Sequence, residues 1–477
     1  MSPVPKAGAQ LAVSGIFESA LPALLLFFGF LLVFLTPPIQ SADENSHLIR
    51  SIMVSEGQFW SREESGYWGQ DVPVSLIDYT TAHSPIIDDS TKRYTYDRWF
   101  ADSYTVADME TTRLHAYSGQ SLSPLYYVPQ SLGIWVGKAL YAVTPATFNW
   151  PAALYFARLG NLIAYVIAFW LVIRAVPRFA GVLSFLAATP MGIGLAASCS
   201  YDVVVILSAV GFFAATMAAV ERDGDISKKH WAVIFALAFL VGQSKAVYSP
   251  VLLTLFLLWK PLGFRPFLKV AAAAGGFAIL GNFVGSAMFG LPADPNLQQA
   301  IDGQVDYIVH NPLSIPGLVL TSVYQLSGGM FVSALGNLGW LNATFPLPFL
   351  VCWFGVGIAA IFSDGLRGPS ADRPWLAAAL LMGGAIIALF ALFVAMYVTW
   401  TSVTTGIGVD LIDSVQGRYV LPIVPFVMGA SVLAVGAVLP KHEGFSVWIA
   451  RQQVVFTAAT LGMVVLMIIL RYWVPAV

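Results

Sequence analysis

Charge is what this chain has least of. Only 10% of its 477 residues are Asp, Glu, Lys or Arg, where a soluble domain carries roughly 25%, and that scarcity excludes an ordinary water-soluble globule. Its 24 basic residues do not outnumber its 26 acidic ones, so the basic excess that marks a nucleic-acid partner is missing and nucleic acid is excluded as a ligand class. Cysteine is nearly absent. Cys199 and Cys352 lie in or beside apolar stretches and form no CxxC pair, which excludes a disulfide framework and a cysteine zinc site and leaves two small core residues.

What fills the space is apolar: 57% of the residues are hydrophobic, and they fall into runs long enough to cross a bilayer. Stretches near 14–36, 152–173, 179–197, 201–220, 231–259, 269–290, 345–363, 375–399, 419–439 and 448–470 are the candidate spans. With 231–259 long enough for two, the expectation is an all-α polytopic membrane protein of about eleven helices, within a range of about ten to thirteen. The first run, "IFESALPALLLFFGFLLVFL", is longer than a signal-peptide core and reads as an uncleaved helix. Basic residues give the orientation: Lys6, Arg174 with Arg178, Arg222 with Lys228 and Lys229, Lys260 with Arg265 and Lys269, Arg367 with Arg373, and Lys441 with Arg451 fall into alternate connections, which the positive-inside rule makes cytoplasmic. The alternation holds if the segments near 123–147 and 314–342 are interfacial or re-entrant helices. Three parts follow: a first helix over 1–36, a large extracytoplasmic loop over 37–122, and a multi-span membrane domain over 123–477.

The loop has charges of both signs and many rings, among them Trp60, Tyr67, Trp68, Tyr79, Tyr94, Tyr96, Trp99, Phe100, Tyr104 and Tyr117, too many for a disordered tether. Rings beside carboxylates, Arg and Asn suit the stacking and hydrogen bonding of sugars, while the plainer alternative makes each ring part of the loop's own core or of an interfacial belt. At its start "TPPIQSADENSHLIR" packs two acids, a histidine and an arginine against the end of the first run. Pro37 and Pro38 stop the helix, so Asp43, Glu44 and His47 are pinned near the membrane boundary, where a desolvated carboxylate can serve as a general base. A helix cap by Ser41 or Asp43 is the alternative.

Four more stretches put polar groups where apolar ones are expected. "LAASCSYDVVVILS" sets Tyr201 and Asp202 at the start of a span, and "VGQSKAVYSPVLL" embeds Lys245. "LGNLGWLNATFPLP" holds Asn337, Trp340 and Asn342; "DLIDSVQGRYVLPIVPF" holds Asp410, Asp413, Gln416 and Arg418. Ionisable groups inside spans are costly, which makes Lys245 and Arg158 functional candidates, with snorkelling or pairing to a buried acid as the structural alternative.

Taken in order, "PPIQSADENSHLIR", "YYVPQSLGIWVGKAL", "FARLGNLIAY", "ASCSYDVVVI", "SKAVYSPVLL", "LGWLNATFP" and "QGRYVLPIVP" resemble the successive motifs of the bacterial domain-of-unknown-function family two-one-four-two, whose topology is similar to that of C-type (GT-C) glycosyltransferases. The usual first motif has proline after the Asp-Glu pair, and here Asn45 stands there. The resemblance implies a glycosyltransferase of the bacterial inner membrane that takes a sugar from a polyprenyl-phosphate donor to a cell-surface glycan or lipid-linked acceptor on the extracytoplasmic face. It implies Asp43 as the catalytic base with Glu44 as its partner, and Arg418, Lys245 and Arg158 on the donor phosphate, since Arg and Lys bind phosphate. His47, Tyr201, Asp202, Gln416 and Trp340 are the expected supporting residues. No cofactor is required; a lone Asp-Glu pair is a weak ligand set, and a divalent cation, if one bound, would use Asp43 and Glu44. A flippase for lipid-linked saccharides and a non-catalytic polysaccharide-assembly protein remain as alternatives from other classes.

Overall fold

The computed structural model describes residues 8–64, 67–87, 89, 91–95, 97, 110–115, 119–222, 226–290, 295–368 and 373–475. Lys6, Tyr96, Trp99, Phe100, Tyr104, Tyr117 and the side chain of Tyr67 lie outside these residues. Long apolar runs become helices because a backbone without water must satisfy its own hydrogen bonds. Eight helices among the described residues have the length and hydropathy of a span, or nine if Pro177–Ala187 and Pro190–Ala196, bent by 77°, are one broken span. They include α1 (Gly8–Leu35), α5 (Trp150–Ala175), α8 (Asp202–Glu221), α10 (Phe264–Phe289) and α16 (Glu443–Tyr472); α2 (Glu44–Ser55), α3 (Val74–His83) and α4 (Val128–Tyr141) lie between α1 and α5, and α6 (Ala180–Ala187) and α7 (Pro190–Ala196) belong to the bent pair.

The expected count of eleven meets two differences. The stretch 231–259 breaks at Lys245 into α9 (Lys228–Ser244) and a 3-10 run over Ala246–Leu258, while 419–439 yields the 15-residue α15 (Val424–Val438). Lys245 itself is extended, at φ −156° and ψ 115°. The second difference concerns 314–342, expected as an interfacial helix. Its α12 (Ile315–Gly336), after α11 (Pro295–His310), has 22 residues and is apolar enough to cross. Its start packs through Ile315 with Tyr397 and Ile412, which follow α14 (Pro374–Met396), and the hairpin after its end at Gly336 carries Trp340, whose indole donates to the Ile39 carbonyl just past α1. By contrast α4 (Val128–Tyr141) has 14 residues, too few to span.

The hydrophilic loop is a small fold of its own, with strands that an all-α expectation did not include. After α2 (Glu44–Ser55), β1 (Arg62–Glu64), β2 (Tyr67–Pro73) and β3 (Thr111–His115) form an antiparallel sheet in the order β1-β2-β3, with Arg62 opposite Gly69 and Gln70 opposite Leu114. Leu48, Ile52, Val72, and Leu76 and Tyr79 of α3 (Val74–His83) bury against Ile134 of α4 and Leu154 and Ala157 of α5. One apolar core thus joins the loop to the helices. Tyr79 and Tyr94 are core rings, whereas Trp60 and Trp68 stay exposed.

At the other end of the helices, Asp364 of α13 (Leu347–Gly365) accepts from the Gly181 and Val182 amides at the start of α6 and pairs with Arg367. Arg367 also donates to the carbonyls of Pro177 and Arg178. Two cations expected in cytoplasmic connections, Arg178 and Arg367, are therefore buried in a helix-joining knot.

Glycine sets how closely the loop side approaches α5. A Cβ on Gly133 of α4 would strike the Phe156 carbonyl, and one on Gly160 would strike that of Pro129, the small-residue contact that lets helix backbones touch. Gly133→Ala should force the pair apart and cost about 1–3 kcal/mol, read as a lowered thermal midpoint of the solubilised protein. An unchanged midpoint would exclude a tight α4–α5 crossing.

Candidate functional site

The site begins with an unmet need. Pro37 carries no amide proton, so the Val33 carbonyl near the end of α1 lacks its usual donor. Arg158, from α5, supplies one and binds the turn that follows: Nη1 donates to the Val33 and Thr36 carbonyls at 2.8 and 2.7 Å, and Nη2 to that of Pro37 at 3.1 Å. Its Nε and Nη2 also donate to the two carboxylate oxygens of Glu44 at 2.8 and 2.5 Å, and the Cys199 amide donates to the same carboxylate. Arg158 and Glu44 are both fully buried. All five N–H groups of the guanidinium are thereby used, so Arg158, expected on the donor phosphate, is a brace between α1, α2 and α5. Glu44, expected as the partner of Asp43 and its companion metal ligand, is consumed by the same brace. The two acids face apart.

Asp43 is the one turned outward. It stands at the N-cap of α2 with φ 58°, and its carboxylate makes no cap hydrogen bond; instead it accepts from Arg418 Nη2 at 2.6 Å, with the Asp43 side chain 38% exposed. The left-handed conformation is tolerable for aspartate but rare for a β-branched residue. Ile39, also in this linker, adopts it at φ 65° while buried. The linker holds this shape because it is tied from several sides: Trp340 to the Ile39 carbonyl, the Tyr472 hydroxyl to the Gln40 carbonyl, and the Gln40 amide to the Pro38 and His83 carbonyls.

Around Asp43 the distant motifs converge. Arg418 Nε lies 3.5 Å from Asp202 Oδ2, and its buried Nη1 has no hydrogen-bond partner among the described residues. Lys245 Nζ sits 4.0 Å from the Tyr419 ring centroid and 5.8 Å from that of Tyr201, and the Arg418 guanidinium lies 5.3 Å from Tyr419. Such cation–π contacts hold a cation without neutralising it. Lys245 forms no ion pair among the described residues. A narrow cleft lined by Ser41, Ala42, Asn337, Gly339, Gln416 and Arg418 adjoins this cluster. His47 is buried behind it, its Nδ1 2.9 Å from the Tyr127 hydroxyl and its ring edge-on to Tyr201. Of the expected residues, Asp43, Arg418, Lys245, Asp202, Tyr201, His47 and Gln416 gather here; Trp340 supports the linker.

Two partners went unselected in the sequence. Tyr419 underlies both cations, and its signal was a ring beside a boundary arginine in "QGRYVLP". Tyr127, partner of His47, lies in "YYVPQ" 80 residues away, and no local pattern announces such a pairing.

The helices define a multi-pass membrane protein. Within that class the chain belongs to the predicted membrane protein family DUF2142, whose profile matches residues 26–427. No curated protein and no solved structure matches it.

Burial holds the His47 pKa down from 6.5 to about 4, against the opposing pull of Asp43, Asp202 and Glu44 and with a small further lowering by Arg418. The folded protein therefore keeps this imidazole neutral where the unfolded chain would protonate it. The corresponding stability, roughly 3 kcal/mol, is present above pH 6.5 and lost as pH falls towards 4. His47→Gln should flatten this slope in thermal melts; an identical slope would place the titration elsewhere. Arg158→Met leaves a buried carboxylate unpaired and should cost about 3–5 kcal/mol, with Arg158→Met/Glu44→Met recovering only part of it because the Val33 carbonyl stays orphaned. Full tolerance of Arg158→Met, scored by folded yield, would refute the brace.

Proposed function

We propose that this protein is a membrane glycosyltransferase that moves a sugar from a polyprenyl-phosphate donor to a cell-surface glycan or lipid-linked acceptor on the extracytoplasmic face of the bacterial inner membrane. The observation that carries the proposal is a half-exposed carboxylate beside two cations, one of them without an acid partner, at the end of the first helix. In the proposed reaction Asp43 accepts the proton of an acceptor hydroxyl as its oxygen bonds to the anomeric carbon. The anomeric carbon–oxygen bond to phosphate breaks, and the electron pair leaves with the lipid phosphate.

The increase of charge on that phosphate needs cations already in place. Among the described residues Arg418 has an unpartnered Nη1 to offer, and Lys245 an ammonium that rests on ring faces and forms no ion pair. Phosphate binding would also draw Arg418 from Asp43 and free the carboxylate to act as a base. Asp202 at 3.5 Å keeps the guanidinium oriented during that exchange. A reactive phosphate lies at headgroup depth, which is why the carboxylate stands at a helix end and not out on the sheet.

Asp43→Asn should lower transfer of labelled sugar from a panel of polyprenyl-phosphate sugars by about 10²-fold or more at equal folded yield. Lys245→Met should raise the donor KM more than it lowers kcat. Binding of lipid by the wild type with no transfer across the panel would overturn the transferase reading in favour of a flippase or an assembly protein.

A further inference from the structure

Away from Asp43, two cavities share a wall made of Phe59 and Trp60. On one side lies an apolar groove between α4 and the ends of α9 and α10, lined by Leu125, Leu132, Trp135, Phe239, Val284 and Phe289. On the other lies a polar pocket between the α2–β1 turn and β2, lined by Gln58, Arg62, Gln70 and Asp71. The groove, at about 360 Å³, falls in the range of small-ligand sites, and the pocket adds about 150 Å³ beside it.

The wall is built before any ligand arrives. Gly57, at φ 79°, turns the chain out of α2. Arg50, fully buried, donates to the Gln58 and Phe59 carbonyls at 3.2 and 2.8 Å, and the buried Gln70 amide donates to Gln58 at 3.0 Å. Trp60 lies nearly parallel to Phe289, at 10° and 6.4 Å, and edge-on to Phe59, yet it remains 51% exposed. A rigid ring presented beside Arg, Asp and Gln has the make-up of a sugar-stacking surface.

The groove lining also holds polar residues: the Ser123 and Ser131 hydroxyls are hydrogen-bonded to the backbone of Leu125 and Ser51, whereas Gln243 is not so satisfied. Gln243, 7% exposed, lines it, with both amide atoms buried and without a hydrogen-bond partner among the described residues. A buried amide in that state is costly, and turning it into the groove, towards the head-linkage oxygens of a ligand whose chain lies there, would relieve it.

We propose that groove and pocket form one binding site for a membrane-anchored saccharide, with the lipid chain along α4 and α10, a sugar against Trp60, and the linking oxygens at Gln243. The 12 residues of α2 separate this site from Asp43, about 18 Å at the rise of a helix, so the sugar held here is not the one being transferred. If the reading of the Asp43 centre is right, the ligand is the acceptor, which is then lipid-anchored.

The test uses the full chain in nanodiscs of phosphatidylethanolamine and phosphatidylglycerol, with a dodecyl glucoside carrying a diazirine in its chain as the probe. Labelled peptides should fall within 122–136 and 281–289, and unlabelled dodecyl glucoside should compete where dodecanol does not. Trp60→Ala, at an exposed position, should reduce labelling by about fivefold to tenfold, the worth of one stacked ring; Leu132→Trp, which fills the groove, should do the same. Equal competition by dodecanol, labelling spread over all lipid-facing helices, or indifference to both variants would each overturn the site. Labelling reads binding alone, without turnover. Failure here with intact sugar transfer overturns the second site and spares the Asp43 centre, and labelling without any transfer does the reverse.

Discussion

The ion pair between Arg158 and Glu44 holds together everything on the side where α1 ends. A buried charge pair is rarely a net source of stability, because desolvation of both ions offsets their attraction unless every remaining hydrogen-bonding site is met. Here that condition is satisfied by an unusual economy: the arginine that neutralises Glu44 also takes the Val33 carbonyl, which Pro37 leaves without its helical donor, and the carbonyls of Thr36 and Pro37 in the turn that follows. One side chain from α5 thereby fixes where α1 stops and where α2 starts. The turn between them is then short, strained at Ile39 and Asp43 and tied from several sides, and the Asp43 side chain stays 38% exposed.

That constraint explains the division of labour between neighbouring acids. Asp43 and Glu44 are adjacent, yet the left-handed backbone at residue 43 sends one carboxylate towards Arg418 and the helical backbone at residue 44 sends the other into the protein. Strained residues cluster where the surroundings over-determine them, commonly at functional sites. The linker from Thr36 to Asp43 meets that description, with positive φ at Ile39 and Asp43 and ties to Trp340, Tyr472 and His83. The cations opposite are held differently. Arg418 has acid partners, whereas Lys245 rests on ring faces, which leaves attraction for an anion unspent.

The membrane class was legible in composition, and most spans in the plain length of apolar runs, because a bilayer imposes a length on any helix that crosses it. Lengths failed where a polar residue breaks a run, as Lys245 does in 231–259. The strands of the loop were missed because β1 has three residues, all exposed, and shows no apolar alternation. At the site, positions at helix boundaries marked Asp43, Asp202 and Arg418, and the cost of a charge inside an apolar run marked Lys245. The same two signals marked Glu44 and Arg158, which proved to be each other's partners.

Sequence by itself therefore determined a low-charge helical membrane chain, the stop after α1, and a set of polar residues at helix ends, since each follows from local chemistry: transfer of apolar groups from water, the missing proton of proline, the cost of a buried charge. Only the tertiary structure decided which of those polar residues face one another. Pairing depends on distances between segments up to 375 residues apart, as between Asp43 and Arg418, and no local property of either segment encodes such a distance.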